Sequence, residues 1–263
     1  MNFANEKFDI ILLSGQSNAE GSGVGETKEE YPFDGDVYHM LGQKSYEKVD
    51  GKGQWVLNFP VDIRIEETDS RKKDDLAVAF AHEYKKHGLL DEDRKILIVE
   101  TALGGTGFVS GHWKKGDVAY QRMMYMLDCA LNMNSDNRLV ALLWHQGENE
   151  VKRNSPEMFE RQLAEVFENI RKRTDGEALP IVSGDFCNNW KKTCIEQADL
   201  ISETIKKVTE SFGGRFVLTD DLPSNHEDGT REGDNIHFSR NSIHILGRRY
   251  FDAYCEITEK KRT

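Results

Sequence analysis

Five short apolar runs, at residues 8–14, 95–101, 139–144, 180–186 and 215–219, constrain this chain more than any other feature. Each is too short for a helix and is cut off by glycine or polar residues. That is the pattern of strands buried on both faces of a parallel sheet. Between the runs lie stretches with helical three-and-four spacing. One opens at Asp74-Asp75 and stops at His87-Gly88, and another covers residues 118–133. A third is capped by Ser155-Pro156, a fourth ends at Gly213-Gly214, and the last covers about residues 239–256. Parallel neighbours need crossovers, which are helical and right-handed in nearly all cases. The expected architecture is therefore α/β: a flavodoxin-like three-layer α/β/α sandwich with a five-stranded parallel sheet. No repeat, low-complexity tract or Pro-rich linker interrupts residues 1–263, so a single domain is expected.

Residues 26–71 stand apart. They read as an irregular excursion punctuated by Gly35, Gly42, Gly51 and Gly53, with Tyr31, Phe33, Tyr38, Tyr46, Trp55 and Phe59 scattered through it. Such a segment either builds one wall of a site or covers a sheet edge. Met123, Met124, Met126 and Met133, on a helical stretch, read as core filler.

The formal net charge of −11 argues against nucleic acid or anionic lipid as partner, since phosphate binding draws on concentrated Lys and Arg. A neutral or cationic small molecule is easier to accommodate. The N-terminus lacks a basic segment followed by a long apolar one, and no window reaches the length of a membrane span, which points to a soluble, cytoplasmic protein with no membrane partner. Cys129, Cys187, Cys194 and Cys255 have no CxxC spacing and read as reduced thiols. No HExxH or similar pattern links the histidines, so neither a metal nor a cofactor is expected; His145 and His226 are the two to look for near a pocket.

The chemistry lies where the runs end. Ligands of open α/β sheets bind at the carboxyl ends of the strands, and four polar clusters fall on that edge or just before the last helix. Gly15-Gln16-Ser17-Asn18 follows the first run and offers Ser17 as a nucleophile, although Gly-x-Ser alone fits a turn or a helix cap equally well. It is neither a G-x-S-x-G elbow nor a phosphate loop, because the second glycine and the lysine are missing. Asp234 and His237 are three apart, so Asp234 could orient the imidazole while Nε2 faces Ser17. Gly104, Gly105 and Thr106 could present backbone N–H groups to an oxyanion, and Gln146 a side-chain amide. Glu148 could orient His237 or Gln146, position a substrate hydroxyl, or pair with a cation.

Taken together and in order, GQSN at 15–18, ALGGT at 102–106, WHQGE at 144–148 and DNIHF at 234–238 resemble the SGNH hydrolases. Within them the match is to the branch of sialate O-acetylesterase-like and acetylxylan-esterase-like carbohydrate esterases. Gln146 stands where the broader superfamily commonly has Asn, a departure that is itself characteristic of this branch. The resemblance implies Ser17 as nucleophile, His237 as general base and Asp234 as its orienting acid. It implies an oxyanion hole of the Ser17 and Gly105 amides and the Gln146 side chain, with Gln16, Asn18 and Glu148 as substrate or supporting contacts. The implied reaction removes O-acetyl groups from acetylated xylan, sialic acid or small sugars through an acyl-enzyme, without metal or cofactor. Alternatives are a lipase or thioesterase on longer acyl chains, and a non-catalytic carbohydrate-binding domain.

Overall fold

The computed structural model describes residues 3–26, 30–49, 52–56, 60–174 and 178–259. In chain order the elements begin with β1 (Phe8–Gly15), α1 (Ser17–Glu20), β2 (Val37–Gly42), β3 (Ser45–Val49), β4 (Lys52–Val56), β5 (Ile63–Glu67), α2 (Leu76–Lys86) and β6 (Lys95–Glu100). They continue with α3 (Val118–Asn132), β7 (Arg138–His145), α4 (Pro156–Arg171), β8 (Ile181–Gly184), α5 (Asn188–Lys191), α6 (Ile195–Ser211), β9 (Arg215–Val217) and α7 (Arg240–Thr258).

The central sheet runs β5-β2-β6-β1-β7-β8-β9, and every pairing in it is parallel except β2 with β5. The five strands read from sequence appear in the spatial order second, first, third, fourth, fifth, which is the flavodoxin-like order. The strand count is corrected from five to seven, because the excursion after β1 contributes β2 and the antiparallel edge strand β5. The same segment also forms a separate two-stranded hairpin, β3-β4. β2 escapes the apolar-run criterion because His39 sits in its middle. That histidine is fully buried and satisfied on both sides, by Thr68 Oγ1 at 2.8 Å and by Asp75 Oδ2 at 3.0 Å. β5, half exposed at the sheet edge, has no continuous apolar run.

β1 shows how the strands serve two layers. Ile10 and Leu12 join one core with residues of α3, α4 and α6, while Ile11 and Leu13 join another with residues of α2 and α7. Period-two alternation on a strand with a helix layer on each side explains why the run is apolar throughout. Met123, Met124 and Met126 lie in the first of these cores, and Met133 packs against it. Of the aromatics between residues 31 and 59, Tyr31 packs among Phe33, His82 and His244, and Tyr38 against Phe3 and Phe8. Tyr31 and Phe33 belong to the core shared with α2 and α7, Tyr38 belongs to the opposite one, and none of them is among the residues lining the cleft described below. Phe59 and the side chains of Tyr46 and Trp55 fall outside the described residues.

Candidate active site

The carboxyl edge of the sheet is drawn tight at one point. A β-carbon at Gly15 would lie 2.0 Å from the His145 carbonyl oxygen, and its φ of +134° is one that other residues rarely adopt. This close approach lets Gln16 N–H donate to His145 O at 2.9 Å, so the ends of β1 and β7 are locked together. The chain then turns directly into α1, whose first residue is Ser17. The opening amides of a helix have no partners within it.

Ser17 faces His237, with His237 Nε2 3.0 Å from Ser17 Oγ. The other ring nitrogen, Nδ1, lies 2.8 Å from Asp234 Oδ1. A carboxylate can only accept, so this contact places the proton on Nδ1 and leaves the Nε2 lone pair toward the serine hydroxyl. Burial opposes ionisation of Asp234, but the hydrogen bond from Asn225 and the adjacent imidazole outweigh it and hold the carboxyl below its usual range. Asn225 donates to Asp234 Oδ2 at 2.8 Å and to Ser22 O at 3.1 Å, and accepts from Val24 N at 2.8 Å. It thereby ties the loop after α1 to the loop carrying the acid. Nothing in the sequence around Asn225 distinguishes it from an ordinary turn residue.

Ser17 and His237 line a cleft of about 710 Å³ together with Gln16, Gly104, Gly105, Glu148, Asn149, Lys152, Arg153, Trp190 and Ile236, among others. Gly105 has a left-handed φ of +73°, and a β-carbon there would meet no atom within 4 Å. Backbone conformation, not crowding, is what asks for glycine. The neighbouring Gly104 N–H is already taken by Glu20 Oε2 at 2.6 Å, a contact that fastens this turn to α1. Glu20 in turn accepts from Lys44, which also reaches Glu100.

Gln146 follows β7 directly, two residues before Glu148 of the cleft lining. It is fully buried and donates one amide hydrogen to Glu150 Oε1 at 3.0 Å, which orients the amide. Asn18, also fully buried, donates to Glu148 Oε1 at 2.8 Å. Burial drives the Glu148 carboxyl up to about 7 against the lowering effect of nearby backbone N–H groups and Asn18. His145 turns away from the cleft, placing Nδ1 2.9 Å from the Tyr250 hydroxyl, and burial lowers it to about 4. His226 accepts from Gly233 N–H through Nδ1 at 3.1 Å and shapes the loop ahead of Asp234. Among the described residues no group of His, Cys, Asp and Glu is placed to hold a metal ion.

Sequence reasoning missed Trp190. It lies on the short α5 beyond the end of β8, half-buried, with its ring packed edge-on against Phe186 at 5.5 Å. A lone tryptophan after a strand end is the one available signal.

The profile of the SASA family, described as carbohydrate esterase, sialic acid-specific acetylesterase, matches residues 7–256. The chain belongs to this family. Membership makes it a carbohydrate esterase in class, in line with the resemblance carried by the four sequence clusters. No curated protein matches it by sequence. Among solved structures, NanS aligns with a TM-score of 0.70 at 15% identity, covering 98% of this chain and 99% of that one. A protein from Arabidopsis thaliana aligns with a TM-score of 0.66 at 20% identity, covering 94% and 98%. A carbohydrate acetylesterase from Xanthomonas citri gives 0.69 at 16% identity, covering 96% of this chain and 57% of that one. At these identities the likeness is one of fold. No helix among the described residues is long and apolar enough to cross a membrane.

Proposed function

We propose that this carbohydrate esterase removes O-acetyl groups from sugars by serine catalysis, with Ser17 as nucleophile, His237 as general base and Asp234 as its orienting acid. The observation that carries the reading is the continuous chain Asp234–His237–Ser17, at 2.8 and 3.0 Å, opening into the cleft. Ser17 Oγ attacks the acetyl carbonyl carbon as His237 Nε2 takes its proton. The negative oxygen that forms is met by the amides of Ser17 and Gly105 and by the second side-chain N–H of Gln146, whose first is committed to Glu150. Collapse expels the sugar oxygen, which takes the proton from His237 and leaves an acetyl-serine. Water, deprotonated by His237, then releases acetate and restores Ser17.

The family's sialic acid specificity is supported at the rim of the cleft. Lys152 and Arg153 are both exposed there, on a chain whose overall charge is −11. They offer a substrate carboxylate a local partner that the chain-wide charge, taken alone, argues against. Trp190 gives the apolar face of a sugar ring a surface to lie on.

Labelling with a fluorophosphonate tests the nucleophile. The wild type should be modified at Ser17 alone, and Ser17→Ala should take up no label. A folded wild-type protein that resists the reagent would rule the serine mechanism out.

A further inference from the structure

Asn18 occupies an unusual place between the two catalytic partners. It follows Ser17 directly in α1, and its side chain reaches both residues that flank His237. Its Nδ2 donates to Ile236 O at 3.2 Å, and its Oδ1 accepts from Phe238 N at 3.1 Å. One buried amide thus grips the backbone on either side of the general base while being covalently joined to the nucleophile.

The grip works in one orientation only. Nitrogen must face Ile236 O and oxygen must face Phe238 N; reversed, the amide would set acceptor against acceptor and donor against donor. The third contact of Asn18 enforces the orientation, because Nδ2 also donates to Glu148 Oε1 at 2.8 Å, an oxygen that accepts both in the ionised carboxylate and when the proton sits on Oε2. Glu148 arrives from the turn after β7, so three parts of the chain meet on this amide. We propose that Glu148 is a positioning residue that, through Asn18, sets His237 against Ser17. The proposal rests on the serine-esterase reading above.

A second observation supports it. Glu148 is 6% exposed, its Oε2 is buried with no hydrogen bond from the described residues, and its surroundings include Asp185 and the Tyr250 hydroxyl, neither of them a cation. A side chain that only filled space would be apolar, since a buried carboxyl with an unpaired oxygen carries a desolvation penalty. Glu148 also lines the cleft, so a direct substrate contact would show as a rise in KM, which the kinetics below separate from a positioning loss in kcat.

Kinetics on p-nitrophenyl acetate and the rate of Ser17 labelling by a fluorophosphonate, measured on the full chain, test the proposal. Glu148→Ala should lower kcat and the labelling rate together by about 10- to 100-fold, with KM within about twofold. Glu148→Gln can still present an oxygen to Asn18 and should recover most of the lost rate. Asn18→Ala removes the relay itself, carries the test if Glu148→Ala fails to fold, and should lose as much. The double variant should lose no more than the worse single one, as for two residues acting through one path. A Glu148→Ala protein that labels and turns over at the wild-type rate would overturn the proposal. So would one that keeps kcat while KM rises, or losses that multiply in the double variant. A wild-type protein that takes up no label fails the serine reading itself and this inference with it.

Discussion

Burial of Glu148 links the stability of the fold to pH. Its carboxyl is raised from 4.5 to about 7 by burial, so the folded chain holds the proton more tightly than the unfolded chain. Below about pH 4.5 both states are protonated, and the group's contribution to stability is fully present. As pH rises toward 7 the unfolded chain releases the proton first, and that stability is lost. Glutamine at this position has no proton to lose. Glu148→Gln should therefore gain on the wild type between pH 5 and pH 8, by up to about 3 kcal/mol for a shift of this size. Urea unfolding midpoints at the two pH values measure it; a difference that does not change with pH would contradict the assignment. The neighbouring residues divide by how they show themselves in sequence. Ser17, His237 and Asp234 were legible because each follows a recognisable strand end or precedes the last helix. Asn225 and Glu20 act through contacts spanning 9 and 84 residues, and no local pattern announces them.

At the scale of elements, the two edges of the sheet have different duties. The carboxyl edge carries the cleft, and the amino edge is held by Asp9, a fully buried carboxylate at the start of β1. Asp9 Oδ1 accepts from Arg94 Nε at 2.6 Å and Arg138 Nε at 2.7 Å, while Oδ2 accepts from the Tyr84 hydroxyl at 2.8 Å and Arg138 Nη2 at 3.0 Å. The Arg94 side chain is itself only 8% exposed. Asp9→Ala would leave that guanidinium buried without its counter-charge. The expected loss is about 3–5 kcal/mol of stability, measured by denaturant unfolding, with turnover per folded molecule retained because the cleft is at the opposite edge. The same elements show why the sequence reading was incomplete. β1 and β6 declare themselves as unbroken Ile, Leu and Val runs because helices cover both their faces. β2 is as deeply buried but hides behind His39, whose polar ring is acceptable only because Thr68 and Asp75 lie on either side of it. That compensation comes from β5's end and α2's cap, and it cannot be seen within β2 alone.

For the whole molecule, the distribution of charge matters more than its sum. A chain of net charge −11 should repel an acidic sugar at a distance, yet Lys152 and Arg153 stand at the mouth of the cleft. Lys152 is held in a left-handed backbone conformation, φ +64°, which fixes where its side chain starts. Exposed ion pairs are weak and screened by salt. Reversing one charge, as in Lys152→Glu, should accordingly raise KM for O-acetylated sialic acid about fivefold more than for a neutral acetylated sugar, and the gap should shrink at high salt. Equal effects on both substrates would remove these cations from the account of specificity. The cleft joins the ends of β1, β6, β7 and β8 around Ser17, the proposed acceptor of the acetyl group. The most direct test is acetate release from O-acetylated sialic acid, acetylated xylan and simple acetylated sugars by the wild type beside Ser17→Ala. Acetate from the wild type, and a rate at least about 10⁴-fold lower from the folded variant, are the expected results. Acetate released equally by both, or from none of these sugars by the folded wild type, would contradict the proposed function.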